Sequence, residues 1–260
     1  MITGKHQLNA MKLKYHRGNY FESKNITNRF NHYRHIRSIG IYPGRRLETC
    51  NLLDSSRNFN LCGDLVMKLS ISVMAHPSRE HFFNELSKHL DHPIFAIDQD
   101  NNLLENCKRA WRLYDPDCDF HVVIQDDAIV CQNFRERAIE FITAREAERI
   151  AADQLPYAYN FFTIESTQVK LTEWKGYAIE DRNRGGVAIC LPTNQIELML
   201  EYYDTLTDKH DDYRIGQWLV ANKFKTCYPI PSLIDHDDNN PSLCSHPKLM
   251  RKAYKFVDNL

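Results

Sequence analysis

The sequence lacks the features that mark membrane and secreted proteins. None of its apolar runs approaches the roughly 20 residues that a helix needs to cross a bilayer. Its N-terminus has no apolar segment typical of a secretory signal. The eight cysteines are scattered, with no Cys-x-x-Cys pair, so neither a zinc cluster nor a disulfide framework is expected. These absences favour a protein of the reducing cytoplasm without a membrane partner.

Charge is distributed unevenly along the 260 residues, although the formal net charge is only −1. Residues 1–66 contain 11 Lys and Arg against 4 Asp and Glu, which gives about +7 and leaves about −8 for the remainder. This basic segment is weakly patterned and includes aromatics such as Tyr33 and Tyr42. It is either an arm that contacts nucleic acid or an extension without a role. A further alternative is that the native protein begins at Met67, directly before a predicted strand.

The length suits one sizeable α/β domain, residues 67–260, after the basic extension of residues 1–66. Strands and helices alternate as far as Ala152 and are mixed beyond it. This order predicts a Rossmann-like three-layer α/β/α sandwich with a mostly parallel central sheet. Residues 168–184 are predicted to form a loop. The predicted strands are 69–74, 93–98, 120–124, 157–165, 187–191 and 225–229, and the predicted helices are 81–90, 101–114, 134–152, 194–206 and 213–222.

The stretch 119–131 is the one around which the chain is organised. Its apolar, β-branched run 120–124 predicts a buried strand that stops at two adjacent carboxylates, Asp126 and Asp127. In parallel α/β sheets, ligands bind beyond the carboxyl ends of the strands. Two adjacent acids repel each other unless a positive charge lies nearby, and a divalent cation such as Mg²⁺ or Mn²⁺ commonly supplies it. An ordinary polar turn is the alternative.

Two other predicted strands also end in polar residues. Asp98 ends the second strand, where a carboxylate can accept hydrogen bonds from ribose hydroxyls or a base N–H; alternatively it caps the following helix. His76, Ser78 and Arg79 follow the first strand. Arg79 can bind a phosphate near a helix N-terminus. The alternative is a capping turn with a solvated arginine.

The second half of the chain contains a glycine pair and an aspartate pair. Gly185 and Gly186 precede a predicted strand, where they allow close backbone approach to a ligand or form a simple turn. Asp211 and Asp212 precede a predicted helix. One of them can cap this helix while the other points into a cleft as a general base. Otherwise both only cap the helix and contact solvent.

One histidine lies in an acidic segment near the end of the chain. His236 belongs to the run 235–238, which follows an apolar stretch. A neutral imidazole at this position can join Asp127 on one metal ion. A lone histidine in a loop is otherwise exposed to solvent.

These motifs, in this order, resemble those of GT-A-fold glycosyltransferases, which use nucleotide sugars. Gln125-Asp126-Asp127 is similar to a variant of the Asp-x-Asp metal motif, with Gln125 in place of the first acid. Asp211-Asp212 resembles the acidic motif that supplies the base, and His236 resembles the late metal-binding histidine. More closely, the chain resembles small glycosyltransferases encoded by bacteriophages. The resemblance covers residues 69–255 and is carried by 74–79, 123–128, 211–215 with Trp218, and 231–236.

The resemblance implies a metal-dependent transferase that works in the host cytoplasm. Asp127 and His236 would bind Mn²⁺ or Mg²⁺, and Asp212, with Asp211 beside it, would be the catalytic base. A UDP-sugar is the expected donor, and the acceptor is a hydroxyl group, either on a 5-hydroxymethylpyrimidine of phage DNA or on a saccharide. The residues expected to contact the donor are His76, Arg79, Asp98, Gln125, Asp126, Gly185 and Gly186.

Two functions of other classes stay open on the residues alone. The acid pair and the run 235–238 suit a two-metal phosphodiesterase or nuclease, which would act without a sugar donor. A non-catalytic nucleic-acid-binding protein would depend on residues 1–66 instead. The sequence leaves the oligomeric state open.

Overall fold

The computed structural model describes residues 67–237 and 252–259. The basic extension 1–66 and Asp238 of the acidic run lie outside the described residues. The strands are β1 Leu69–Ala75, β2 Ile94–Ile97, β3 Phe120–Gln125, β4 Ala128–Val130, β5 Tyr157–Asn160, β6 Tyr177–Glu180, β7 Ala188–Pro192, β8 Lys225–Pro229 and β9 Ile234–His236. The α-helices are α1 Phe83–Leu90, α2 Leu103–Arg112, α3 Phe134–Ala151, α4 Thr167–Thr172, α5 Ile196–Tyr203 and α6 Asp211–Ala221. Short 3-10 helices cover Pro77–Phe82, Glu173–Lys175, Thr193–Gln195 and Val257–Asn259.

Seven strands form one mixed sheet in the order β2-β1-β3-β7-β5-β8-β6. Strands β1, β2, β3, β5 and β8 run in one direction, and β7 and β6 run in the other. The carboxyl ends of five strands therefore meet at one edge, which is where ligands bind in such sheets. Strands β4 and β9 form a separate antiparallel pair beside this edge.

Apolar side chains cover both faces of the large sheet, so the α/β prediction is confirmed. Along β1, Leu69, Ile71 and Val73 pack on the face that also carries buried residues of α1 and α3. Met74 faces the opposite side, with buried residues of α2, α5 and α6. This alternation follows from the two-residue period of a strand. Within 67–237 and 252–259, no helix has the length and apolar content of a membrane span.

The predicted loop 168–184 is wrong, because it contains most of α4 and all of β6. Helix α4 has only six residues and is capped by Ser166, whose hydroxyl accepts a hydrogen bond from the backbone N of Val169 at 3.1 Å. A segment this short carries too few apolar positions to show a helical period. Strands β4 and β9 have three residues each, which is too short to show a two-residue period, so the sequence does not predict them.

A buried histidine ties three elements together on the α2 side of the sheet. His121 of β3 is fully buried, with its Nδ1 2.8 Å from Ser70 Oγ and its Nε2 3.0 Å from Ser72 Oγ. Nε2 also lies 3.2 Å from the carbonyl of Ala110 in α2. Burial lowers the pKa of His121 to about 4, so the ring is neutral at pH 7.

Candidate functional site

Arg79 lies between the two carboxylates of the acid pair, Asp126 and Asp127, at the end of β3. Its Nη1 donates to Asp126 Oδ1 at 2.7 Å and to Asp127 Oδ2 at 2.9 Å. All three side chains are more than 90% buried. The alternative of a solvated arginine is therefore wrong. The guanidinium supplies positive charge that two adjacent acids need, so their repulsion alone does not demand a metal ion.

The turn after β1 places Arg79 in this position. His76 caps the 3-10 helix Pro77–Phe82, because its Nδ1 accepts from the backbone N of Ser78 at 3.2 Å. The backbone N of His76 donates to Asp126 Oδ2 at 2.7 Å. Both oxygens of Asp126 are thus engaged by the segment that follows β1. Donor contacts by His76, Arg79 and Asp126 stay predictions.

The two acids differ in their affinity for protons. Burial is the main reason that the pKa of Asp126 is raised above its usual value. Burial acts in the same direction on Asp127, but the hydrogen bond and charge of His236, together with the charge of Arg79, outweigh it and lower the pKa of Asp127. Asp127 is therefore ionised at neutral pH.

His236 approaches Asp127 because β9 pairs with β4. Ala128 lies opposite His236 in this ladder, and the backbone N of Asp237 donates to the carbonyl of Asp127 at 2.9 Å. Nε2 of His236 lies 3.2 Å from Asp127 Oδ2, and both side chains are buried. The alternative of an exposed loop histidine is wrong, and the predicted proximity of these two residues is confirmed.

The donor atoms at this point fit a divalent cation with two protein ligands. Asp127 Oδ1 is buried and accepts no hydrogen bond from any residue that the structure describes. Mg²⁺ and Mn²⁺ accept carboxylate and imidazole ligands, and they commonly fill their other positions with phosphate oxygens and water. In the described ranges, no three His, Cys, Asp or Glu residues are grouped to hold a metal by themselves. Metal binding by Asp127 and His236 stays a prediction.

The glycine pair brings the second half of the chain against the end of β3. The backbone N of Gln125 donates to the carbonyl of Val187 at 2.8 Å. A Cβ atom built on Gly186 would lie 2.9 Å from Cβ of Asp212 and 3.4 Å from Nε2 of Gln125. Only glycine fits there without displacing a neighbour. Gly185 has φ +78°, a left-handed conformation that favours glycine.

The two aspartates at the start of α6 have different surroundings. Asp211 is buried, and it interacts with the Cys107 thiol of α2. Burial, and then the charge of Asp212, raises the pKa of Asp211 to about 6. Asp212 is half-buried, and its Oδ1 accepts from the backbone N of Tyr213 at 2.9 Å. Asp212 is thus the member of the pair that lies beside Gly186.

Asp98 organises the turn that connects β2 to α2. Its Oδ1 accepts from the backbone N of Asp100 at 3.2 Å and of Asn102 at 3.0 Å, and Arg109 Nη2 lies 3.4 Å away. The N-cap of α2 is Asn102, so the alternative role of Asp98 as the helix cap is wrong. Its backbone N donates to the carbonyl of Ala75 at 2.8 Å, which fixes it at the carboxyl end of β1. Ribose binding by Asp98 stays a prediction.

A cavity of about 190 Å³ lies between α1 and β4, directly beside Asp127. Its walls are largely apolar. Sequence patterns could not reveal it, because apolar residues of α1 read as ordinary core positions. The lining residues are Phe82, Glu85, Leu86, His89, Asp127, Ala128, Ile129, Val130 and Asp237.

No protein-family model matches the chain, and no curated protein matches it either. The functional assignment therefore depends on the geometry of the site and on the motif resemblance. Two groups of contacts lie at the carboxyl-end edge: Arg79 and His236 contact Asp127, and Gly186 lies against Asp212 and Gln125.

Variants of His121 and Asp211 are expected to show opposite pH dependences of stability. The ordinary pKa of His121 is 6.5 and its folded value is about 4, so the unfolded chain binds the extra proton between these values. The contribution of His121 to the free energy of unfolding therefore falls by about 3 kcal/mol as pH drops from 6.5 to 4. For Asp211 the folded pKa of about 6 exceeds the ordinary 3.8, so its contribution is present at low pH and is lost as pH rises to 6, again by about 3 kcal/mol.

Because these two contributions oppose each other in the wild type, single variants separate them. Asp211→Asn leaves the His121 contribution, so its free energy of unfolding falls as pH drops from 6.5 to 4 more steeply than that of the wild type. His121→Gln keeps the Asp211 contribution. Relative to the wild type, its free energy of unfolding therefore rises as pH drops from 6.5 to 4. Urea unfolding across this range measures both slopes. His92→Gln, whose side chain is 97% exposed, is the control and keeps the wild-type slope. Equal slopes for the two variants would contradict the prediction.

Proposed function

We propose that this chain is a divalent-metal-dependent glycosyltransferase of the GT-A type. It moves a sugar from a nucleotide sugar, with a UDP-sugar the expected donor, to a hydroxyl group. Two contacts at the carboxyl-end edge of the sheet carry the proposal: His236 lies beside Asp127, and Gly186 lies against Asp212 and Gln125. These residues come from four separate segments of the chain.

The site supports a division of roles in sugar transfer. Asp127 and His236 would hold the cation, which when bound stabilises the negative charge that develops on the diphosphate leaving group. Arg79 adds a positive charge that Asp126 and Asp127 hold in place. Gly186 lies directly against Asp212, which in an inverting reaction would take the proton of the acceptor hydroxyl. A retaining reaction would not need this base.

For the acceptor we propose a 5-hydroxymethylpyrimidine of phage DNA, with a saccharide as the alternative. The support for DNA is the charge of about +7 in residues 1–66, which suits contact with phosphates. A two-metal nuclease has less support. Both oxygens of Asp126 already accept hydrogen bonds, so a second metal would compete there with Arg79 and the backbone of His76.

A thermal-shift screen of nucleotide sugars with and without Mn²⁺ tests the proposed function. At least one donor is expected to raise the melting temperature when Mn²⁺ is present, because a ligand that binds only the folded state stabilises it. The donor that is found is then incubated with 5-hydroxymethylated DNA and with oligosaccharides, and nucleoside diphosphate release is measured. Phosphodiester cleavage without any sugar donor, or no shift with any nucleotide sugar, would contradict the proposal.

A further inference from the structure

We propose that Asn160 is a positioning residue, which fixes the loop 182–186 so that Gly186 stays against Asp212. The position of this loop follows from the structure alone. Its effect on catalysis rests on the proposed function. Asn160 acts through Gly186 and does not touch the reacting groups. Nothing in its sequence context marks it, because it lies inside the predicted strand 157–165 as an ordinary polar residue.

Asn160 directs most of its hydrogen-bonding capacity at this loop. It is the last residue of β5 and is fully buried. Its Nδ2 donates to the carbonyls of Arg184 at 3.2 Å and Gly185 at 3.0 Å, and to Oδ1 of Asn183 at 2.8 Å. Its own Oδ1 accepts from the backbone N of Phe162 at 3.0 Å. An amide has two N–H groups, so three acceptors of the loop share them.

Other side chains complete the support of the loop backbone. Nδ2 of Asn183 donates to the same Gly185 carbonyl at 2.8 Å. The hydroxyl of Tyr228 accepts from the backbone N of Arg184 at 2.7 Å and donates to the carbonyl of Arg182 at 3.3 Å. The left-handed conformation of Gly185 is therefore held by two amide side chains on its carbonyl oxygen.

The position of this loop matters because Gly186 has no free space. A Cβ atom on Gly186 would already overlap Cβ of Asp212, at 2.9 Å. A shift of the loop changes where Asp212 and Gln125 can lie. Misplacement of a reacting group by about 1 Å can cost on the order of 10²-fold in rate.

Asparagine is required here for its donors. Asn160→Asp has nearly the same shape, but it removes both N–H groups and turns a carboxylate oxygen towards three acceptor oxygens. Like partial charges then repel each other in a buried place, and the loop is released. Asn183→Ala is a second, milder variant on a half-buried residue, and it removes one of the two amides on the Gly185 carbonyl.

Amide hydrogen exchange tests the structural part without any substrate. Compared with the wild type, peptides that cover 182–187 are expected to exchange about tenfold faster in Asn160→Asp and faster by a smaller factor in Asn183→Ala. The matched control is Asn222→Ala, because the Asn222 amide also donates to a backbone carbonyl, that of Trp218 at 2.9 Å. This control leaves exchange in 182–187 unchanged. Unchanged exchange in both test variants would overturn the inference.

A double-mutant cycle tests whether Asn160 acts through Asp212. Asn160→Asp is expected to lower kcat on the order of 10²-fold, with the donor KM changed by less than about twofold. In an Asp212→Asn background, Asn160→Asp should lower kcat by less than about threefold, because the carboxylate that Asn160 helps to position is already absent. Fully additive losses would overturn the positioning role. Faster exchange in a protein that turns over no nucleotide sugar would support the loop contact and reject the proposed function.

Discussion

Replacing Asp212 with asparagine is expected to lower kcat for sugar transfer on the order of 10³-fold, within the range that general bases contribute. The amide keeps the oxygen that accepts from the backbone N of Tyr213, and it fits the space beside Gly186. The melting temperature should change by no more than about 2 °C, because Asp212 is only half-buried and asparagine has nearly the same shape. The side chain loses its negative charge and with it the ability to take a proton from the acceptor hydroxyl. Steady-state product formation with saturating donor and Mn²⁺ measures this loss.

Replacing the neighbouring Asp211 with asparagine serves as the comparison for Asp212→Asn. Asp211→Asn alters a buried carboxylate that interacts with Cys107 and is not among the nearest neighbours of a Cβ on Gly186. We expect its kcat within about threefold of the wild type and its main effect on the pH dependence of stability. A larger loss of kcat in Asp211→Asn than in Asp212→Asn would identify Asp211 as the base. Full activity in Asp212→Asn would instead indicate a retaining reaction, which does not need this base.

The sequence predicted those parts of the fold in which local patterns leave little choice. The β-branched run 120–124 became β3, and Lys225–Pro229 became β8 with the predicted bounds. The edge at which Asp98, Asp126 and Asp127 would gather was also predictable, because parallel strands place their carboxyl ends together. These are consequences of a two-residue period and of strand direction, both of which are visible in the order of residues.

The contacts within the site depended on tertiary structure and could not be predicted in the same way. The acid pair suggested a cation, but sequence spacing could not show that Arg79 would lie between the two carboxylates. The burial of His236 depends on the pairing of β4 with β9, two strands of three residues each. The role of Asn160 depends on a loop whose backbone is held by side chains from distant strands. Each of these contacts joins segments that no local period connects.

Replacing Asp127 with asparagine is expected to lower kcat on the order of 10²–10³-fold and to abolish the rise in melting temperature with Mn²⁺. Asp127 is ionised at neutral pH, and its buried Oδ1 accepts no hydrogen bond from a described residue, so this oxygen can coordinate a cation. Asparagine retains the shape and one oxygen but loses this charge. Nη1 of Arg79 keeps Asp126 as a partner, which limits the cost to folding.

A buried carboxylate next to the same site serves as the matched control for Asp127→Asn. Asp235 of β9 precedes His236, is 7% exposed, and accepts from the backbone N of Ala253 at 2.7 Å. Asp235→Asn therefore removes a neighbouring negative charge without touching Asp127. It should keep the Mn²⁺-dependent shift even if the protein becomes less stable. Because the shift is measured without a sugar donor, it reports on the metal ligand independently of the reaction. An Mn²⁺ shift of equal size in both variants would exclude Asp127 as a ligand and leave Arg79 as the group that compensates its charge.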